Sequence, residues 1–136
     1  MKVIGIDIDK KRAIFVALEK DEKGNVVNIT GKSKFIEIKD DQDNSEIANF
    51  AQSIHAYFEL INPSKIAIIT RQTKGRFSAS PYSFKLEGLI QCYATLDIEF
   101  VSPQALNAFY KKNELSLSFD NKYQENALRL ANYLLA

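Results

Sequence analysis

The stretch KIAIITRQTKGRFSASPYSFKLEGLIQCYAT, Lys65 to Thr95, decides how the rest of the chain is read. Its opening, Lys65 to Thr70, is an uninterrupted apolar run, the pattern of a strand buried on both faces. Ser80-Pro81 follows, a helix N-cap with proline at the first helical position. Tyr82, Leu86, Leu89, Ile90 and Tyr93 then recur at helical spacing. Gly88 within that helix costs about 1 kcal/mol relative to alanine, and predicts a close approach of the helix to the sheet. Between Leu60 and Leu86 stand five basic side chains, Lys65, Arg71, Lys74, Arg76 and Lys85, and no Asp or Glu.

Upstream, Val3, Ile4 and Ile6 mark a central strand, and Arg12 to Glu19 a second. Asp21 to Asn25 carries turn chemistry, with Gly24 able to take positive φ. Val26 to Thr30 and Lys34 to Ile38 read as one long third strand bent at Gly31. Asp43 with Glu46 three residues on has capping-box spacing. The helix after it shows Ile47, Phe50, Ala51, Ile54, Phe58 and Ile61 on one face, and Asn62-Pro63 stops it. Downstream come a fifth strand, Ile98 to Val101, a Ser102-Pro103 helix start, and a last helix over Lys122 to Leu135. That helix carries Ala127, Leu130, Ala131 and Leu134 on one side. The predicted order is β-β-β-α-β-α-β-α-α, a five-stranded mixed sheet flanked by helices, in one domain over residues 1–136.

Composition narrows the function classes. With 18 basic and 17 acidic residues in 136, the net charge is +1, so attraction to nucleic acid needs a local patch. MKVIGIDID reads as neither signal peptide nor membrane span. The single Cys92 rules out an intramolecular disulfide and a multi-cysteine zinc site. The expectation is a cytoplasmic protein. No GxSxG, HExxH, Walker loop or GxGxxG occurs. His55 reads as a structural residue beside an apolar stripe, and Cys92 as a packed thiol.

Several stretches resemble the ribonuclease-H-like superfamily, in its Holliday-junction-resolvase (RuvC-like) branch. Gly5-Ile6-Asp7 resembles the first-strand motif whose aspartate binds metal. KIAIIT with SFKLEGLIQ resembles the fourth strand and following helix, IEFVSPQALNAFY the fifth strand and its Ser-Pro helix, and ENALRLANYLL the last helix. KGRF and SFKLE resemble in particular a small bacterial family of uncharacterised proteins whose catalytic positions are degenerate. That likeness implies a fold and not a function.

The resemblance implies two divalent metals roughly 4 Å apart, held by carboxylates from strand one, the end of strand four and the last helix. Asp7 matches the first position. The second falls at Thr70 or Arg71, and the last-helix positions hold Asn126 and Tyr123, so the expected acids are absent there. Glu125, Asp120 or Asp9 could substitute, although Glu125 adjoins the matching position and points about 100° away around the helix. Asp7 reads equally as a strand-end aspartate held by turn amides. The opening GIDIDKKRAIFVALEKDEKGNVV also resembles the phosphate motif of sugar kinases and actin-like ATPases, but Asp9 stands where a phosphate needs glycine.

Arg71, Lys74, Arg76 and Lys85, with Phe77 and Tyr82, combine charge and aromatic groups beside a helix N-terminus, which suits a nucleic acid or another anionic partner. A solvated loop whose Phe77 and Tyr82 seal the core accounts for the same residues. An acidic protein, or the chain's own KDDQDN loop, would serve equally as counterpart. The leading expectation is a pseudo-nuclease that binds nucleic acid without a cofactor. The alternatives are an Mg²⁺- or Mn²⁺-dependent nuclease using Asp7 with Glu125 or Asp120, and an interaction module dimerising through Tyr82, Leu86 and Tyr93.

Overall fold

The computed structural model describes residues 1–70 and 80–136. Its elements are β1 (Lys2–Asp9), β2 (Arg12–Lys20), β3 (Val26–Asn28), β4 (Phe35–Glu37), α1 (Asn44–Ile61) and β5 (Lys65–Ile69). They continue with α2 (Pro81–Gln91), β6 (Ile98–Val101), α3 (Pro103–Lys112), a 3₁₀ turn (Lys122–Gln124) and α4 (Glu125–Leu134). The sheet runs β3-β2-β1-β5-β6, with β4 also paired to β2. β1 is antiparallel to β2 and parallel to β5, and β5 is parallel to β6. This is the mixed α/β sheet expected from the sequence.

The third strand differs. A ladder continued from Leu18 opposite Asn28 would set Ile14 against Lys32, but Ile14 faces Phe35, so three residues loop out. Gly31 takes φ 88° there, a conformation that a Cβ disfavours. Thr30, buried, fills the gap: its Oγ1 accepts from the Ala17 N–H at 3.0 Å, where a backbone carbonyl would otherwise serve. One bent strand is therefore two short ones on the same partner.

Side chains of β1 alternate between two cores, as a pleated strand requires. Ile4, Ile6 and Ile8 join Phe15, Phe50, Ile54, Phe58, Leu86 and Ile90 beneath α1 and α2. Val3 joins Val16, Leu18, Ala67, Ala127, Leu130 and Ala131 on the opposite face, under α3 and α4. Gly5 and Asp7 have the same parity as Val3. A Cβ on Gly5 would lie 2.5 Å from the Ala127 carbonyl oxygen and 2.6 Å from the Ala131 nitrogen. Only glycine admits α4 at that distance.

Helix starts follow the sequence. Ser80 and Ser102 cap α2 and α3, each followed by proline. Asp43 caps α1, accepting from the Ser45 N–H at 2.9 Å. Glu46 does not close a capping box. Its carboxylate accepts from the Lys39 and Asp40 amides at 2.8 and 3.1 Å and ties down the acidic loop instead.

Two expectations are corrected. A Cβ on Gly88 would meet nothing within 4 Å, so that glycine faces open space and not the sheet. The Cys92 thiol is exposed and not packed, because α2 ends at Gln91 and turns the residue outward. His55 is structural: its Nε2–H donates to the Leu89 carbonyl at 3.0 Å, and its ring packs against Phe58 and Tyr93. Among the described residues no helix is long and apolar enough to cross a membrane.

Candidate functional site

The contact between Gly5 and α4 has a direct consequence two residues further along β1. Asp7 points to the same face as Gly5, at the strand's carboxyl end, while Asn126 precedes the Ala127 that sits on Gly5. The close approach thus carries Asn126 to Asp7, and both line the same two cavities. Asp7 is 8 % exposed, so little of it meets the solvent.

The first cavity, about 380 Å³, carries Asp7, Asp9, Lys122, Glu125 and Asn126, with Tyr123 as a wall. The second, about 170 Å³, joins Asp7 and Asn126 to Thr70, Asn107 and Arg129, over Ile69, Pro103 and Leu106. The sequence comparison with resolvases set Asp7, Thr70 or Arg71, and Asn126 at one site. Asp7, Thr70 and Asn126 do converge, whereas Arg71 lies outside the described residues.

The substitute carboxylates separate. Glu125 lines the first cavity despite its 100° offset from Asn126, because the cavity wraps around the first turn of α4. Asp9 is drawn to Arg12, at 3.4 Å, whose guanidinium lies over the rings of Phe35 and Tyr123 at 5.1 and 4.8 Å. Asp120 lines neither cavity; its side chain is 72 % exposed and pairs with Lys34 at 3.3 Å. Among the described residues no three His, Cys, Asp or Glu side chains stand together as a metal site. Residues 71–79 contain none of those four types. The donor set does not fit a two-metal centre: Asn126 offers an amide, and Lys122 and Arg129 bring positive charge to where metal ions would need anionic ligands.

Arg129, Lys122 and Asn107 escaped the sequence reading. A signal was present, since Lys122, Asn126 and Arg129 stand at i, i+4, i+7, one face of a helix. Arg129 is held firmly: it donates to Asn107 Oδ1 at 3.3 Å and lies over the Tyr110 ring at 4.8 Å. The Tyr110 hydroxyl in turn donates to the Arg129 carbonyl at 2.5 Å and accepts from Asn132 at 3.1 Å. Burial pushes the Tyr110 phenol above its usual range, against the opposing pull of the Asn132 hydrogen bond and the Arg129 charge.

The basic corner is partly committed within the chain. Lys85 donates to the Asp41 carbonyl at 2.7 Å and to its carboxylate at 3.2 Å, so the KDDQDN loop is its counterpart. The Tyr82 ring is covered by the Lys11 ammonium, 4.6 Å from its centroid. Arg71, Lys74, Arg76 and Phe77 lie outside the described residues. Leu86 is fully buried and Tyr93 packs edge-on against Phe58, so the Tyr82–Leu86–Tyr93 stripe faces the core and leaves Leu86 no surface to offer a second copy.

A family match spans residues 1–134. The chain belongs to the family described as Protein of unknown function (DUF3010). No curated protein matches this DUF3010 sequence. Among solved structures it is similar to Thermus thermophilus RuvC, at TM-score 0.70 and 11 % identity, covering 96 % of this chain and 91 % of that one. T. thermophilus RuvC in complex with a Holliday junction substrate gives 0.66 and 12 %, covering 96 % and 90 %. The yeast mitochondrial Holliday junction resolvase gives 0.58 and 14 %, covering 96 % and 74 %. At these identities the likeness concerns fold, and the fold of this DUF3010 member is ribonuclease-H-like and RuvC-like.

Proposed function

We propose that this domain binds nucleic acid and does not cleave it. One observation supports the reading: Asp7 meets Asn126, an amide, at both cavities, and although Asp9 and Glu125 line the larger one, among the described residues no three His, Cys, Asp or Glu side chains stand close enough together to hold a metal ion. Two further facts support it. The acid-free basic stretch between Leu60 and Leu86 includes Thr70, which lines the second cavity, and continues directly into Arg71. A solved protein of the same fold is held in complex with a Holliday junction.

The test is binding of single-stranded and four-way-branched DNA and RNA at two salt concentrations, with cleavage assayed in Mg²⁺ and Mn²⁺. Phosphate contacts release counterions, so affinity should fall steeply with salt, and Lys74→Ala with Arg76→Ala should weaken it. Absence of binding at low salt, or binding indifferent to that double substitution, would sink the proposal.

A second reading, a divalent-metal nuclease using Asp7 with Glu125, draws on the cavity those two carboxylates share. Cleavage that requires the metal and disappears in Asp7→Asn would establish it in place of the first.

A further inference from the structure

Side chains of the short strand β4 alternate like those of β1. Ile36 packs against the core beneath α1 and α2, while Phe35 points to the opposite face, where it meets Tyr123. Phe35 nevertheless joins neither core, and 38 % of it is exposed. The ring is still held in place. The Arg12 guanidinium lies 5.1 Å from its centroid, and the Tyr123 ring meets it edge-on with centroids 5.6 Å apart. Arg12 is itself fixed, by the Tyr123 ring at 4.8 Å and by Asp9 at 3.4 Å.

Lysines surround this ring. Lys34 precedes Phe35 and pairs with Asp120 at 3.3 Å, which brings the exposed Phe119 to the same corner. Lys32 stands three residues before Phe35, Lys10 two before Arg12, and Lys122 next to Tyr123. All three are exposed and make no ion pair among the described residues. Of the acids nearby, Asp9 and Asp120 are taken up by Arg12 and Lys34. Glu37, opposite Arg12 in the ladder, and Glu125, at the larger cavity, are outnumbered by the three lysines. Lysine is depleted from the centres of protein–protein interfaces, whereas a phosphate backbone gains from each such charge by releasing its counterions. Charge and ring together therefore favour a nucleic-acid strand over an apolar protein surface.

We infer that Phe35 is a stacking platform on which a single-stranded nucleic acid lays one base, with Lys32 and Lys122 left for the adjoining phosphates. The inference rests on the nucleic-acid-binding reading and deepens it with a second contact. This contact lies on the β2 side of β1, whereas the Arg71-to-Lys85 stretch follows β5. The larger cavity, lined by Asp7, Lys122 and Tyr123, joins the patch to the candidate site. Stacking on an aromatic side chain accepts any base, since every base has a π face. A ring already held by Arg12 and Tyr123 loses little freedom when the base arrives.

The chain contains no tryptophan, so the fluorescence of Phe35→Trp reports on this position alone. A twelve-residue thymidine strand should quench that indole by stacking, and an abasic strand of equal length and charge should not. Phe100→Trp, at an exposed position on β6 at the far edge of the sheet, should stay unquenched with either strand. Phe35→Ala should weaken binding of the thymidine strand about tenfold, the ratio that corresponds to about 1.4 kcal/mol, at an unchanged salt slope. Phe35→Leu, which keeps apolar bulk without a flat ring, should lose as much; both are checked for folding by thermal melt. Lys122→Ala should instead lower the salt slope, by about 0.7 for one single-strand phosphate. Binding without quenching, equal quenching in Phe35→Trp and Phe100→Trp, or undiminished affinity in Phe35→Ala overturns the platform while leaving nucleic-acid binding standing. No binding of any strand at low salt overturns both.

Discussion

The two faces of the sheet are built on different principles. Beneath α1 and α2 the filling is large side chains, with Phe15, Phe50 and Phe58 fully buried among isoleucines. Beneath α4 the backbone of the helix lies almost on the backbone of β1, separated only by the missing side chain of Gly5. A layer of interdigitated side chains can adjust its rotamers, whereas a backbone-on-backbone contact leaves no such freedom. Asp7 and Asn126 meet on the second face. The candidate site sits where the packing is least adjustable.

The sharpest way to break that comparison is Gly5→Ala. The new methyl would stand 2.5 Å from a carbonyl oxygen and 2.6 Å from an amide nitrogen of α4, and backbone atoms must move to accept it. Overpacking of this kind costs about 3 kcal/mol, read as a shift in the denaturant midpoint at unchanged slope. A loss below about 1 kcal/mol would mean that α4 is free to move, and the contrast between the faces would fail.

Tyr57 probes the other face. Its ring packs on Phe15 with centroids 4.3 Å apart, and its hydroxyl donates to the Thr30 carbonyl at 2.8 Å, pinning the loop between β3 and β4. Burial pushes its phenol above the usual tyrosine range. The sign follows: the unfolded chain releases this proton near pH 10, about the unperturbed value, while the folded chain still holds it. Stability is therefore lost as pH rises above about 10. Tyr57→Phe should cost about 1 kcal/mol near neutrality and make the alkaline fall shallower. The part due to Tyr93 and Tyr110, whose phenols are raised as well, should remain. An alkaline limb unchanged by the substitution would contradict this account.

The smallest effect has the opposite sign. Gly88 faces open space inside α2, so Gly88→Ala should stabilise by about 0.8 kcal/mol through helix propensity alone. A measured loss would show that this glycine is needed for a close approach after all, and would make the two faces alike.

Gly5 and Gly88 also mark how far the sequence could be read. A close approach was expected at Gly88 and is found at Gly5; nothing local distinguishes the glycine under a helix from the glycine beside a groove. The β-branched run of β1, the Ser80-Pro81 and Ser102-Pro103 helix starts and the stripe on α1 were legible because they rest on local sterics and on periodicity. The split of the third strand into β3 and β4 was not, since it depends on which residues of β2 lie opposite. At the site, Asp7 and Asn126 could be aligned from the sequence by resemblance. Arg129 could not, because its role depends on Asn107 and Tyr110 of α3 lying beside it.

By itself the sequence determined the helix starts, the mixed α/β class and the central position of β1 and β5. These are properties of residue type and spacing, and they survive any arrangement of the helices. Only the tertiary structure decided that Glu125 shares a cavity with Asp7 while Asp120 is spent on Lys34, and that Lys85 is spent on Asp41. It also decided that Arg129 and Asp7 line one cavity. Partnership between charges is set by distances of a few ångströms between residues far apart in the chain, and those distances exist only once α4 has settled on Gly5.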